Sequence, residues 1–293
     1  MSLNFRQSFS LIILSFFILG CRSKELNENP INITPSPEPP VEYDYSFSEV
    51  PEWSDEFDVD GLPSDKIWSY DVGGSGWGNE EKQYYTEADL DNSKVEDGKL
   101  IITAIKEVIG GMGYSSARLV TKNKKDFIYG KVVVRAKLPK GTGTWPAIWT
   151  LASQTSYGDV YWPDQGEIDI MEHVGMDPTV VHATVHTKLF NHILNTQRGN
   201  QITISDYDTE FHDYAIEWTP KEIKASVDGT YYFTFTKQSA SWGEWPFDKP
   251  QHLLLNIAIG GNWAGQKGID NTIFPTSMVI DYVRYYSLIQ TKK

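Results

Sequence analysis

The 293-residue chain holds a single cysteine, Cys21, so neither an intrachain disulfide nor a cysteine-built metal site can form within it. No apolar run approaches the roughly 20 residues needed to cross a hydrocarbon core, and no HExxH pair of histidines occurs. Basic residues are scarce: 26 Lys plus Arg stand against 39 Asp plus Glu, for a net charge of −13. That balance excludes nucleic acid and anionic lipid as partners, because both need a positive surface. A 3.6-residue apolar period is missing as well. Aromatic residues, in contrast, are plentiful, with 10 Trp, 16 Tyr and 13 Phe. Ten tryptophans supply both core packing and flat stacking surfaces.

The lone cysteine has a place of its own. Arg6 precedes a nine-residue apolar run, Leu11 to Leu19, too short to span a bilayer. The run ends Ile18-Leu19-Gly20-Cys21, which resembles a bacterial lipobox, with Ile18 where leucine is usual. The resemblance implies a signal peptide over residues 1–20, cleavage before Cys21 and lipidation of that cysteine. The bland alternative is an ordinary signal peptide with an accidental cysteine. Residues 21–41 carry Pro30, Pro35, Pro37, Pro39 and Pro40 among Ser, Thr, Asn and Glu. Such a stretch buries too little apolar surface to order itself and reads as a tether. The expected product is an exported lipoprotein, at the outer membrane, touching the membrane only through its anchor.

From residue 42 to about 289 the pattern is β. Alternating or β-branched runs cover Lys99–Ile105, Tyr129–Leu138, Val180–Lys188, Phe211–Thr219, Ile223–Val227, Tyr231–Thr236, His252–Ile259 and Met278–Tyr286. Asp97-Gly98 and Asp228-Gly229 are hairpin-closing dipeptides. Many short strands without an interior break predict one antiparallel sandwich; periodicity alone leaves a barrel open.

The chemistry concentrates in Glu167-Ile168-Asp169-Ile170-Met171-Glu172. Strand alternation puts Glu167 and Asp169 on one face with Ile168 and Ile170 in the core. Strict alternation would then bury Glu172 unpaired, at high cost. A β-bulge at Met171 shifts the register and returns Glu172 to the wet face. The two glutamates then lie four effective steps, roughly 13 Å, apart at Cα. Side chains leaning together would reach the retaining-glycosidase gap of about 5–5.5 Å, although the inverting gap of about 6.5–9.5 Å remains open at this precision. A raised pKa suits Glu172 as proton donor beside an ionised Glu167. Three acids alone would equally fit a solvated strand or a calcium cluster.

The pattern Glu167, Asp169, Glu172 resembles the catalytic signature of glycoside hydrolase family 16, in its laminarinase-type endo-β-1,3-glucanases. Further segments match in order: WSDEF from Trp53, WGNEEKQYYT from Trp77, SARL from Ser116, GTWPAIW from Gly143, HATVH from His182, LLNIAIGGNWAG from Leu254, and DYVRY from Asp281. The resemblance spans roughly Val50 to Leu288. It implies a β-jelly roll of two antiparallel sheets with a concave substrate cleft. It also implies that Glu167 is the nucleophile, Glu172 the acid/base and Asp169 the residue that orients the nucleophile.

Around these acids, Trp145 and Trp149 share a strand face, and indoles cover the apolar faces of glucose rings. The proline between them and the glycines before them suggest a loop edge. Trp263, after two glycines, is a further stacking candidate, and Trp162 is placed to cap the cleft; Trp218, Trp242 and Trp245 are assigned to packing. The resemblance places Asn79 and Arg118 in the cleft, with Gln83 a weaker candidate. His186 is expected to hydrogen-bond near the acids, while Thr187 stands where the family often has tryptophan. The resemblance also implies one structural calcium held by Glu56, the Gly98 backbone and Asp281, all oxygen ligands suited to a hard cation, and no cofactor for catalysis. The expected activity is endo-cleavage of β-1,3-glucan by a monomer, with retention. The alternatives are mixed-linkage β-1,3-1,4-glucan or a galactan as substrate, or a non-catalytic glycan-binding lipoprotein.

Overall fold

The computed structural model describes residues 41–293; the expected signal peptide, Cys21 and the expected proline-rich tether as far as residue 40 lie outside the described residues. Glu42–Lys293 forms one compact unit. It runs slightly past the expected end at 289, because the strand Leu288–Lys292 pairs antiparallel with Tyr43–Phe47 and ties the two ends of the unit together.

Two antiparallel sheets make the body. The first orders its strands Arg198–Thr203, Val180–His186, Glu167–Glu172, Thr144–Ala152, Gln251–Ile259, Arg118–Val120 and Ser69–Tyr70. The second orders Thr230–Thr236, Glu222–Val227, His212–Trp218, Gly130–Lys137, Thr276–Tyr286, Lys99–Ala104 and Ser93–Glu96, with Trp53–Asp55 also pairing to Thr276–Tyr286. All eight runs expected from alternation are strands, with ends within two residues of the expectation. Both hairpin dipeptides adopt positive φ at both positions, Asp97 at 51° and Gly98 at 70°, then Asp228 at 49° and Gly229 at 76°. That is the twist-compatible turn such dipeptides favour.

The sheets meet through their alternate residues. Ile148, Ile168, Ile170, Met171, Val181 and Leu255 from the first pack with Val132, Val134, Tyr214, Ile216, Met278 and Ile280 from the second. Trp218 and Trp245 are buried in this core, as assigned; Trp242 instead stacks on Tyr157 at the surface, with ring centroids 5.6 Å apart.

One local expectation is corrected. Thr144–Ala152, containing Trp145 and Trp149, is no loop edge but a nine-residue strand between Glu167–Glu172 and Gln251–Ile259. Pro146 is tolerated there because its carbonyl faces His173 N at 3.2 Å, beyond the last residue of the strand Glu167–Glu172. The N–H that Pro146 lacks therefore falls outside the paired residues of that ladder, whose last rung is Ala147 opposite Glu172.

Candidate active site

The bulge needed to rescue Glu172 is present. Against Thr144–Ala152 the register runs Glu172 to Ala147, Met171 to Ile148, then Asp169 to Trp149, so Ile170 is the residue left over. On the other side Asp169 faces Thr184 and Glu172 faces His182, three steps opposite two. Ile168, Ile170 and Met171 are all buried. The five steps from Glu167 to Glu172 therefore match four on each neighbour, Leu151 to Ala147 and His186 to His182, and all three acids share the face away from the core. The extra residue falls at Ile170, one position before the expected Met171.

That face has rows. Arg118, Asn256, Ala147, Glu172 and His182 align across five strands. Trp149, Asp169 and Thr184 make the next row, and Leu151, Glu167 and His186 the one after. At about 4.8 Å per strand, the floor reaches roughly 14 Å from the acids' strand to that of Arg118.

Each acid has a distinct partner. The Trp162 indole Nε1 donates to Glu167 Oε2 at 2.9 Å, and the Trp145 Nε1 donates to Glu172 Oε1 at 3.0 Å. Nε2 of His186 lies 3.3 Å from Asp169 Oδ2 and 3.8 Å from Glu167 Oε1. Burial lifts Glu167 and Asp169 well above the usual carboxylate range, and a neighbouring carboxylate adds to each: Asp169 to Glu167, Glu172 to Asp169. Two acids that cannot both ionise share one proton and titrate as a unit. His186 and the Trp162 indole N–H favour the charged form of Glu167, and the bond to Glu167 favours the charged form of Asp169. Glu172 is also raised, by burial first, opposed by His186 and by the Trp145 bond. The main cause is thus burial, rather than the like charge of Glu167 expected from sequence.

A consequence follows for Trp145→Phe. Removing the indole N–H withdraws a bond that lowers the Glu172 pKa. Glu172 then keeps its proton to higher pH, and the alkaline limb of the kcat/KM profile moves upward. A pH–rate profile of the variant checks this; an unmoved or lowered limb contradicts it.

The expected cleft residues gather here with differing roles. Trp145 and Trp149 are half-buried on the acids' face. Trp263 sits in the one-turn helix Gly261–Ala264, edge-on to Trp145 at 5.3 Å and to His182 at 5.1 Å. Trp162 holds Glu167 and packs on His192, 4.9 Å between centroids. Arg118 is clamped between Trp77 and Trp149, 4.8 and 4.7 Å from their rings, and its Nε lies 3.0 Å from Asp71. Asn79 turns inward to Glu81 at 3.2 Å, while its carbonyl accepts Asn262 N at 2.7 Å. Gln83 is fully buried, between Glu81 and Ile259 N. Thr187 is buried and accepts Phe190 N through its hydroxyl, starting the loop that carries His192.

Sequence reasoning missed Trp77, Glu81, Tyr85, Asn256 and His192. Asn256 had a signal: it is the one polar residue within Leu253–Ile259, where an unpaired amide would be costly.

The proposed calcium set does not fit as arranged. Both Glu56 oxygens are taken by Arg284, at 2.9 and 2.7 Å. Asp281 faces Arg135 at 3.5 Å and Lys99 at 3.8 Å. Carboxylates already neutralised by guanidinium and ammonium groups are poor ligands for a hard dication, and Gly98 offers only its backbone. Glu167, Asp169 and His186 bring one ligand atom each within 4.8 Å of one another, but two-carboxylate glycoside hydrolysis draws on no metal.

Comparison with known proteins agrees with this geometry. The profile of Glycosyl hydrolases family 16 matches residues 80–284. A beta-glucanase of Rhodothermus marinus is 55% identical over 243 residues, covering 81% of this chain and 85% of that protein. The X-ray structure of the laminarinase from Rhodothermus marinus superposes with a TM-score of 0.81 at 53% identity, covering 84% of this chain and 99% of the other. A non-specific endo-β-1,3(4)-glucanase, SCLam, gives a TM-score of 0.77 at 44% identity, covering 85% and 93%. With its jelly-roll fold and its three acids on one face, the chain belongs to glycosyl hydrolases family 16 and is a glycoside hydrolase.

Proposed function

We propose that the protein cleaves internal β-1,3-glucosidic bonds of laminarin-type glucan with retention of configuration. The observation that carries this is the bulged strand that presents Glu167, Asp169 and Glu172 to one half-buried tryptophan floor. Glu167 attacks the anomeric carbon while the Glu172 proton passes to the departing glycosidic oxygen, leaving a glucosyl ester on Glu167. Glu172, now ionised, takes a proton from water, whose oxygen displaces Glu167. Asp169 shares a proton with Glu167 and keeps the nucleophile's lone pairs aimed. His186 completes the polar cradle. Every side chain this scheme uses belongs to one chain.

Cleavage of mixed-linkage glucan is the second reading, favoured by the likeness to a protein described as a non-specific endo-β-1,3(4)-glucanase. The leader and Cys21 support export and lipid anchoring, with the tether of residues 21–41 carrying the enzyme beyond the membrane. Reducing-end release from laminarin, lichenan and agarose by the fragment 42–293 separates the readings. Release from laminarin is expected; release from agarose alone contradicts the glucan assignment.

A further inference from the structure

One buried carboxylate is left over by the mechanism. Glu81 is 7% exposed, lies off the catalytic strand and ends a chain of hydrogen bonds that begins on the cleft floor. The Trp149 indole donates to Asn256 Oδ1 at 2.7 Å. An indole N–H can only donate, so Asn256 must present its oxygen there and its Nδ2 to the Tyr85 hydroxyl, at 3.0 Å. Tyr85 then has its proton free for Glu81 Oε2, at 3.4 Å. From the other side, Gln83 Oε1 accepts Ile259 N at 2.7 Å, which turns Gln83 Nε2 to Glu81 Oε2 at 2.6 Å. Asn79 donates to the remaining oxygen, Oε1, at 3.2 Å.

The direction of every bond is thereby set, and all of them converge on one group that can only accept. A carboxylate is the side chain that meets this demand. Its segment also braces the opposite lip of the cleft: Glu81 bridges Gly260, and Asn79 O accepts Asn262 N at 2.7 Å, directly before Trp263. A Cβ on Gly261 would meet Asn79 O at 2.7 Å, so the approach is close. Burial raises the Glu81 pKa, and its three donors and Arg118 oppose the rise.

We infer that Glu81 is a positioning residue for glucan binding: through Tyr85 and Asn256 it sets the plane of Trp149, and through Asn79 it sets the strap carrying Trp263. Glu81 meets no sugar itself. It fixes two indoles on which glucose rings stack, so its removal weakens binding more than it slows bond cleavage. The inference rests on the glucanase reading.

The test is steady-state kinetics on laminarin with Glu81→Leu, Glu81→Gln and Tyr85→Phe. Glu81→Leu removes the acceptor at similar volume and is expected to raise KM about tenfold, equivalent to about 1.4 kcal/mol, with kcat within about twofold of the parent. Glu81→Gln keeps one acceptor oxygen for Gln83 and Tyr85, and Asn79 can turn its own carbonyl to the new amide. Most of the parental KM should therefore return. Tyr85→Phe cuts only the link toward Trp149 and should raise KM severalfold with kcat held, although the unpaired Asn256 amide lowers the melting temperature somewhat; it decides the matter if Glu81→Leu fails to fold. A merely structural role predicts equal loss in kcat and KM together with melting temperature, and that result overturns the inference. So does an unchanged KM in Tyr85→Phe beside an active parent. An inactive parent removes the glucanase reading, and the inference with it.

Discussion

Glu167→Ala is expected to lower kcat on laminarin by on the order of 10⁴-fold or more, as removal of a covalent nucleophile does elsewhere. Affinity should remain near that of the parent, because the tryptophan floor is untouched and the side chain lost is only 14% exposed. The vacated space also admits a small anion. Added azide should attack the anomeric carbon from the Glu167 side in a single displacement, giving the α-glucosyl azide from an activated β-glucoside. Retained turnover without azide would reassign the nucleophile. Capture as the β-azide would place the missing group on the opposite face.

Glu172→Gln gives the complementary result. Its loss removes proton donation to the leaving oxygen, worth about 10²–10⁴-fold on the natural polymer. An aryl glucoside with a good leaving group needs no such proton, so its first step should survive and the glucosyl ester on Glu167 should accumulate. The alkaline limb of the pH profile should vanish with the group that causes it. Stability moves the other way. Because burial raises the folded pKa of Glu172, the unfolded chain releases that proton first as pH rises. Folding stability is therefore lost between the unfolded value, about 4.3, and the higher folded one, and it stays lost above both. Glu172→Gln carries no such penalty and should melt at or above the parent temperature at neutral pH. A lower melting temperature there would mean that the carboxylate makes net favourable contacts in the fold.

The reach of the sequence differed from part to part for physical reasons. Strand positions were legible because one-sided burial imposes a two-residue alternation that any composition must obey. The bulge was legible for the same reason: without it Glu172 would sit unpaired among Ile168 and Ile170. Its position was off by one because Ile170 and Met171 are equally apolar and both are buried, so nothing in their chemistry says which one is unpaired. The segment around Pro146 misled because a proline usually marks an edge, whereas here the neighbouring strand has already ended. The calcium set failed on long-range pairing: Glu56 and Arg284 lie 228 positions apart, and local sequence does not reveal which cation claims a carboxylate. Glu81 was hidden likewise. In WGNEEKQYYT it resembles its exposed neighbour Glu80, and only the fold brings Tyr85, Asn256 and Trp149 into line behind it.

The central claim is double displacement at the anomeric carbon by the pair Glu167 and Glu172. Proton NMR of the first reducing ends released from a laminarin oligosaccharide, recorded before mutarotation, tests it most directly. The account predicts the β-anomer first, with the α-anomer growing in afterwards. The α-anomer appearing first would mean a single displacement by water, and would leave Glu167 as a base rather than a nucleophile.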